Sequence, residues 1–102
     1  MIVYHVSPTR NDESIRAHGL LLSEAQCTPR RVWACQLKIV QWALGHCARR
    51  HDVRPDQLTV WRIYCQARSF ARQVGGRHWR LRDVPSTWLT HWYTTEELPH
   101  GA

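Results

Sequence analysis

The chain predicts an α+β fold, with two helices in its first half and strands concentrated in its second. Three observations carry this. Ile2 to Val6 and Leu58 to Gln66 show the apolar and polar alternation of strands. Leu37, Val40, Leu44 and Cys47 recur at spacings of three and four, as on one face of a helix. A shorter helix is announced upstream by Asn11, Asp12 and Glu13 and stopped by Gly19. The length of 102 residues suits one domain and is too short for two, so residues 1–102 are read as a single unit.

Taken in order, Ile2–Val6 is the first strand. Asn11 caps a helix whose first turn holds Asp12 and Glu13, at the end where the helix dipole favours negative charge. Leu20, Leu21 and Leu22 pin its exit to the core, and Ser23–Arg31 reads as a loop ending near Pro29. Arg31–Cys35 is a short strand. Leu37–His51 is the longer helix, and its last residues, Arg49, Arg50 and His51, suit the negative helix end. Asp52–Asp56 turns through Pro55 into the strand Leu58–Gln66. Ser69–Val74 reads as a connection, Gly75-Gly76 as a tight turn and Arg77–Arg82 as a half-exposed strand. Pro85–Leu89 allows one helical turn, His91–Thr95 is a last strand, and Pro99–Ala102 is expected to fray.

No apolar run approaches the roughly 18 residues that span a bilayer, and Met1-Ile2-Val3-Tyr4 does not open a signal peptide. A cytoplasmic protein without membrane contact is expected. Cys27, Cys35, Cys47 and Cys65 form no CxxC and read as small buried hydrophobes. Cys47 with His46 and His51 lacks the paired short spacings of a zinc site, so no metal is expected.

The formal charge is +6, carried by 13 Arg and one Lys. Six Arg and no acid lie between Gln57 and Arg82, and no acid lies between Cys27 and His51. Six Trp are scattered among these arginines. Arg makes planar contacts to phosphate and stacks on aromatic faces, so a polyanion or a dinucleotide pyrophosphate is a natural partner. A solvated basic surface is the plainer explanation.

Candidate functional residues come from two motifs. His5 and Ser7, at the end of the first strand, offer an imidazole and a hydroxyl to the hydroxyls of a sugar. Trp33, in Val32-Trp33-Ala34-Cys35, offers a flat π face. The order Tyr4-His5-Val6-Ser7, then Ser14-Ile15-Arg16-Ala17-His18-Gly19-Leu20, then Val32-Trp33-Ala34-Cys35 resembles the opening of ADP-ribosyltransferase-like domains. The likeness spans roughly residues 1–90, with recognisable motifs in the first half only. It implies a split β-sheet core with NAD, used as substrate, in a cleft between two small sheets. His5 and Ser7 would then meet a ribose and Trp33 would wall the nicotinamide. Such domains carry a carboxylate on a late strand, which stabilises the cationic sugar formed as nicotinamide leaves. Here that strand reads Arg77-His78-Trp79-Arg80-Leu81-Arg82, and His78 stands where the acid belongs. The resemblance therefore implies a catalytic set of His5, His78 and Arg80, with Glu96, Glu97 or Asp83 as substitute acids. More distantly, the Arg-rich strand is similar to that of the RNA 2'-phosphotransferases, which use NAD and handle phosphate with His and Arg.

The activity implied is transfer of ADP-ribose to a protein or nucleic acid, by a toxin, a phage-encoded modifier or an antagonist of a host system. The alternative is a non-enzymatic module that binds nucleic acid or protein. In it, Arg62, Arg77, Arg80 and Arg82, with Arg68 and Arg72, contact phosphates and exposed tryptophans stack on bases.

Overall fold

The computed structural model describes residues 1–97, and the fraying expected of Pro99–Ala102 lies outside them. The strands are β1 (Ile2–Pro8), β2 (Val32–Cys35), β3 (Leu58–Tyr64), β4 (Ala71–Gln73), β5 (Arg77–Arg80) and β6 (Leu89–Thr94). Helix α1 is Asp12–His18 and helix α2 is Val40–His51. The α+β class with two early helices is thus as expected. All strand pairs are antiparallel, in one sheet ordered β4-β5-β2-β1-β3-β6.

The sheet is unevenly sewn. The β1/β3 ladder runs from Ile2↔Tyr64 to Pro8↔Leu58, and β2 pairs along its full length with β5. Between β1 and β2 the register holds at a single pair, Tyr4↔Cys35. The core is therefore one continuous six-stranded sheet and not two small sheets with a cleft between them, because β1 pairs with β2; that pairing is the seam. It joins β4-β5-β2 to β1-β3-β6.

Strand alternation sends residues to two faces. Val3, Val32, Ala34, Trp61 and Ile63 pack on one face with Ile15 of α1, Leu20, Phe70 and Val84. Tyr4, Cys35 and Val60 pack on the other with Val40 of α2, and Trp92 and Tyr93 close the far side. Helix α2 covers this second face chiefly over β1 and β3. Its Asp52 cap adopts a left-handed conformation.

Two local features differ from the sequence expectation. Residues 71–73 are a strand, β4, although Ala, Arg and Gln have little intrinsic preference for one. Gly75 and Gly76, at φ of 90° and 87°, fold the chain back so that Gln73 faces Arg77, and pairing with β5 makes the strand. The helix expected from Leu37 begins with a 3₁₀ turn, Leu37–Ile39, before α2 proper.

Candidate nucleotide groove at the seam

His5 bridges the seam. Its Nδ1 lies 2.7 Å from the backbone oxygen of Trp33. A carbonyl only accepts, so Nδ1 carries the proton and Nε2 is left as an acceptor. Burial holds the His5 pKa below its ordinary value; the Trp33 bond opposes this, and His51 at the end of α2 adds a smaller depression. The ring is therefore neutral at pH 7. It ties the strand of the first motif to the strand of the second, where their ladder is a single register pair.

The Trp33 ring belongs to the α2 face, because its neighbours Val32 and Ala34 lie in the core of the α1 face. There it joins residues from β5 and α2. Trp33 and Trp79 are register partners on β2 and β5. The Arg31 guanidinium sits 4.3 Å from the Trp79 ring centre and 5.9 Å from that of Trp33. The Arg77 guanidinium sits 5.9 Å from Trp33 and 5.7 Å from Trp42 of α2. Trp42 in turn stacks on His46, with centroids 5.0 Å apart and planes within 13°. The series Trp79, Arg31, Trp33, Arg77, Trp42, His46 thus alternates ring and cation before ending in two stacked rings. It runs from β5 and β2 onto the exposed side of α2. Trp42 and His46 are exposed, and the other four are half-buried. Arg31 Nε is buried with no hydrogen-bond partner, so the rings and not polar contacts hold that guanidinium. A depression of about 520 Å³, lined by Gln26, His46, Arg49 and Arg50, continues the series along α2.

The other expected site residues lie elsewhere. Ser7 is buried on the α1 face beside its register partner Thr59, and its hydroxyl has no partner. His78 is 1% exposed and pairs with Ala34 on that same face. Its pKa is lowered by burial and then by Arg72. The Gln36 amide stands 3.4 Å from His78 Nε2, while Nδ1 is buried without a partner. Arg80 also points to the α1 face, where it donates to the carbonyls of Ser69 and Arg82 and lies over Trp88 and Phe70. Thus His5 meets the Trp33 backbone, while its own ring, with Ser7, His78 and Arg80, lies on the α1 face, across the sheet from the Trp33 ring. The three substitute acids are occupied or remote. Asp83 accepts from the Leu22 amide and Glu97 from the Thr94 amide, and Glu96 lies in the turn beyond β6.

Nor do the four arginines share a face. Arg77 faces α2 and Arg80 faces away from it. Arg62 lies over Trp92, 4.4 Å from its ring centre, three strands away from Arg77. Arg68, Arg80 and Arg82 line another depression, of about 970 Å³, with Trp88, and Trp79 of the series also borders it.

Arg31, Trp42 and Trp79 were not singled out from the sequence. Their signal was compositional, six Trp among arginines with no acid nearby, and only the pairing of β2 with β5 and the path of α2 bring them to Trp33. Of the residues weighed against a zinc site, Cys47 Sγ faces the Val6 carbonyl while His46 stacks on Trp42. No protein-family model matches the chain, and comparison with the curated proteins and with the solved structures finds no match.

Proposed function

We propose that the chain is a nucleotide-binding domain of ADP-ribosyltransferase type that takes an NAD-like dinucleotide in the groove beside Trp33. One observation carries this: three tryptophans from three elements present ring faces with Arg31 and Arg77 between them, next to the strand junction held by His5. Flat heterocycles stack on such faces, and guanidinium groups pair with a pyrophosphate between them. The resemblance of the first two motifs supplies the identity of the ligand.

The same groove argues for binding with little turnover. Loss of nicotinamide builds positive charge on the ribose, and a fixed carboxylate beside it lowers that barrier. The groove residues named here are basic, aromatic or amide. Transfer of ADP-ribose by this chain is therefore slow, or draws its negative charge from the acceptor. A cytoplasmic setting, where thiols stay reduced, fits the four free cysteines.

The test is thermal unfolding with NAD, ADP-ribose and nicotinamide at low millimolar concentration. A ligand present at about 100 times its Kd adds about 2.7 kcal/mol, which is several degrees for a domain of this size. Trp33→Ala and the Arg31→Gln, Arg77→Gln pair should remove the shift, and Ser7→Ala should not. Absence of a shift with all three ligands would refute the proposal.

A further inference from the structure

We infer that the groove and the basic flank of α2 form one continuous track for a single-stranded polynucleotide. The inference rests on the groove assigned above and extends its ligand from a dinucleotide to a strand. The track is longer than the cluster around Trp33. It begins at Trp79, passes Trp33 and Trp42, and continues through the Trp42–His46 stack to the depression holding Arg49 and Arg50.

Charge complementarity selects the partner. Among the described residues the only ion pair is Arg54–Asp56, so the arginines of the track have no carboxylate to neutralise them. No acid lies anywhere from Cys27 to His51. Arg49 and Arg50 are exposed, and Arg50 makes a bond to a backbone carbonyl, that of Gln26, at 2.8 Å. A phosphate backbone is the polyanion whose repeating charge matches such a row.

The rings decide between a single strand and a duplex. Bases in a duplex cover one another's faces, and tryptophan can stack only on bases that are free. Arg31 and Arg77 lie over the Trp rings. A base that takes a face releases the guanidinium toward a neighbouring phosphate. An acidic protein would use the arginines but leave the row of stacked rings without purpose.

The experiment is fluorescence anisotropy with 5'-labelled dT12 and rU12 at 50 mM salt, alongside an abasic 12-mer and a 12-base-pair duplex. At least one of dT12 and rU12 should bind, and better than the abasic and duplex probes. Affinity should fall as salt rises, by about 0.7 log unit per log unit of salt for each phosphate contacted. Trp42→Ala should weaken binding about 5- to 160-fold, the range of one lost base stack. Trp42→Phe should restore most of it, which separates stacking from misfolding. Arg31→Gln with Arg77→Gln should lower the salt slope by about 1.4. Arg16→Gln with Arg72→Gln lies on the α1 face, off the track, and should leave affinity within about twofold. The inference is overturned if neither dT12 nor rU12 binds at 50 mM salt, if the abasic probe binds as well as dT12, or if Trp42→Ala has no effect. An NAD-induced thermal shift without strand binding would leave the dinucleotide site standing and remove the track. Strand binding without a shift would do the reverse.

Discussion

The imidazole of His5 donates to the carbonyl of Trp33 over 2.7 Å, across the one place where the sheet is held by a single register pair. Beyond Tyr4↔Cys35 the strand hydrogen bonds that would lock β1 to β2 are missing, so this side chain substitutes for part of a ladder. Removing it leaves a part-buried carbonyl without its donor, at a cost of about 1–3 kcal/mol. His5→Ala should lower Tm accordingly and make the amides of β2 exchange hydrogen faster than those of β3. An unchanged exchange pattern would mean that the seam does not depend on His5.

Acid should destabilise the protein through its histidines. His5, His51 and His78 all have pKa values lowered from 6.5, in each case first by burial. A histidine whose folded pKa is depressed binds its proton more readily when unfolded. Its contribution to stability is full above about pH 6.5 and is lost as pH falls through 6.5 toward the folded value. Tm should therefore fall between pH 7.5 and 5.5. His78→Gln should flatten that fall, because His78 is the most buried of the three. A Tm that rises on acidification over this range would contradict the assignment of neutral rings.

The α1 face is anchored by polar contacts independent of the groove. Thr59 Oγ1 lies 3.0 Å from both Thr9 Oγ1 and Asp12 Oδ2. The carboxylate only accepts, so the single Thr59 proton goes to Asp12 and the Thr9 hydroxyl donates to Thr59. Thr59→Val keeps the shape and leaves Asp12 short of a donor, costing about 1–3 kcal/mol. Because this lies across the sheet from Trp33, ligand-induced thermal shifts measured on Thr59→Val should match those of the unmodified chain. Loss of the shift would show that the two faces are coupled.

Much of this architecture is local and was legible in the sequence. The acidic head and glycine stop of α1, the three- and four-residue spacing of α2, and the Val, Trp, Ile and Tyr of β3 each announce their element. The edge strand β4 was not legible, since its Ala-Arg-Gln becomes a strand only through the hairpin that Gly75 and Gly76 close. The functional grouping was legible by half. Alternation fixes that Trp33 points away from Val32 and Ala34. It does not reveal that His5 reaches the backbone and not the ring of Trp33, nor that Trp42 of α2 comes to lie beside Arg77 of β5. Those facts depend on strand order and helix placement, which are set by the whole core.

The cysteines should divide by depth. Burial pushes the thiols of Cys35 and Cys47 up to about 11. At pH 8 the reactive thiolate of each is then about one part in a thousand. Cys27 is only half-buried. With iodoacetamide at pH 8 the native protein should be modified at Cys27, and Cys35 and Cys47 should react only after denaturant is added. Prompt native-state labelling of Cys35 would mean that the seam beside it opens freely.

Two glycines separate backbone strain from steric collision. Gly19, which ends α1, has φ 76° and ψ −161°, a region essentially closed to other residues. A Cβ there would also strike the Val84 carbonyl, and the Ser86 amide nitrogen would lie 2.8 Å away. That crowding arises because Leu20 and Val84 exchange backbone hydrogen bonds of 2.9 and 2.8 Å, drawing the two segments together. Gly75 has φ 90°, but nothing lies within 4 Å of the position its Cβ would take. Gly75→Ala should therefore cost only the strain of a positive φ, about 1–2 kcal/mol. Gly19→Ala adds the collision and the loosening of the Leu20–Val84 bridge, and should cost at least twice as much. Chemical denaturation of the two variants compares them directly. Equal losses would mean that the segment after β5 yields to a methyl group, and that the bridge at Leu20 contributes little to holding α1 on the sheet.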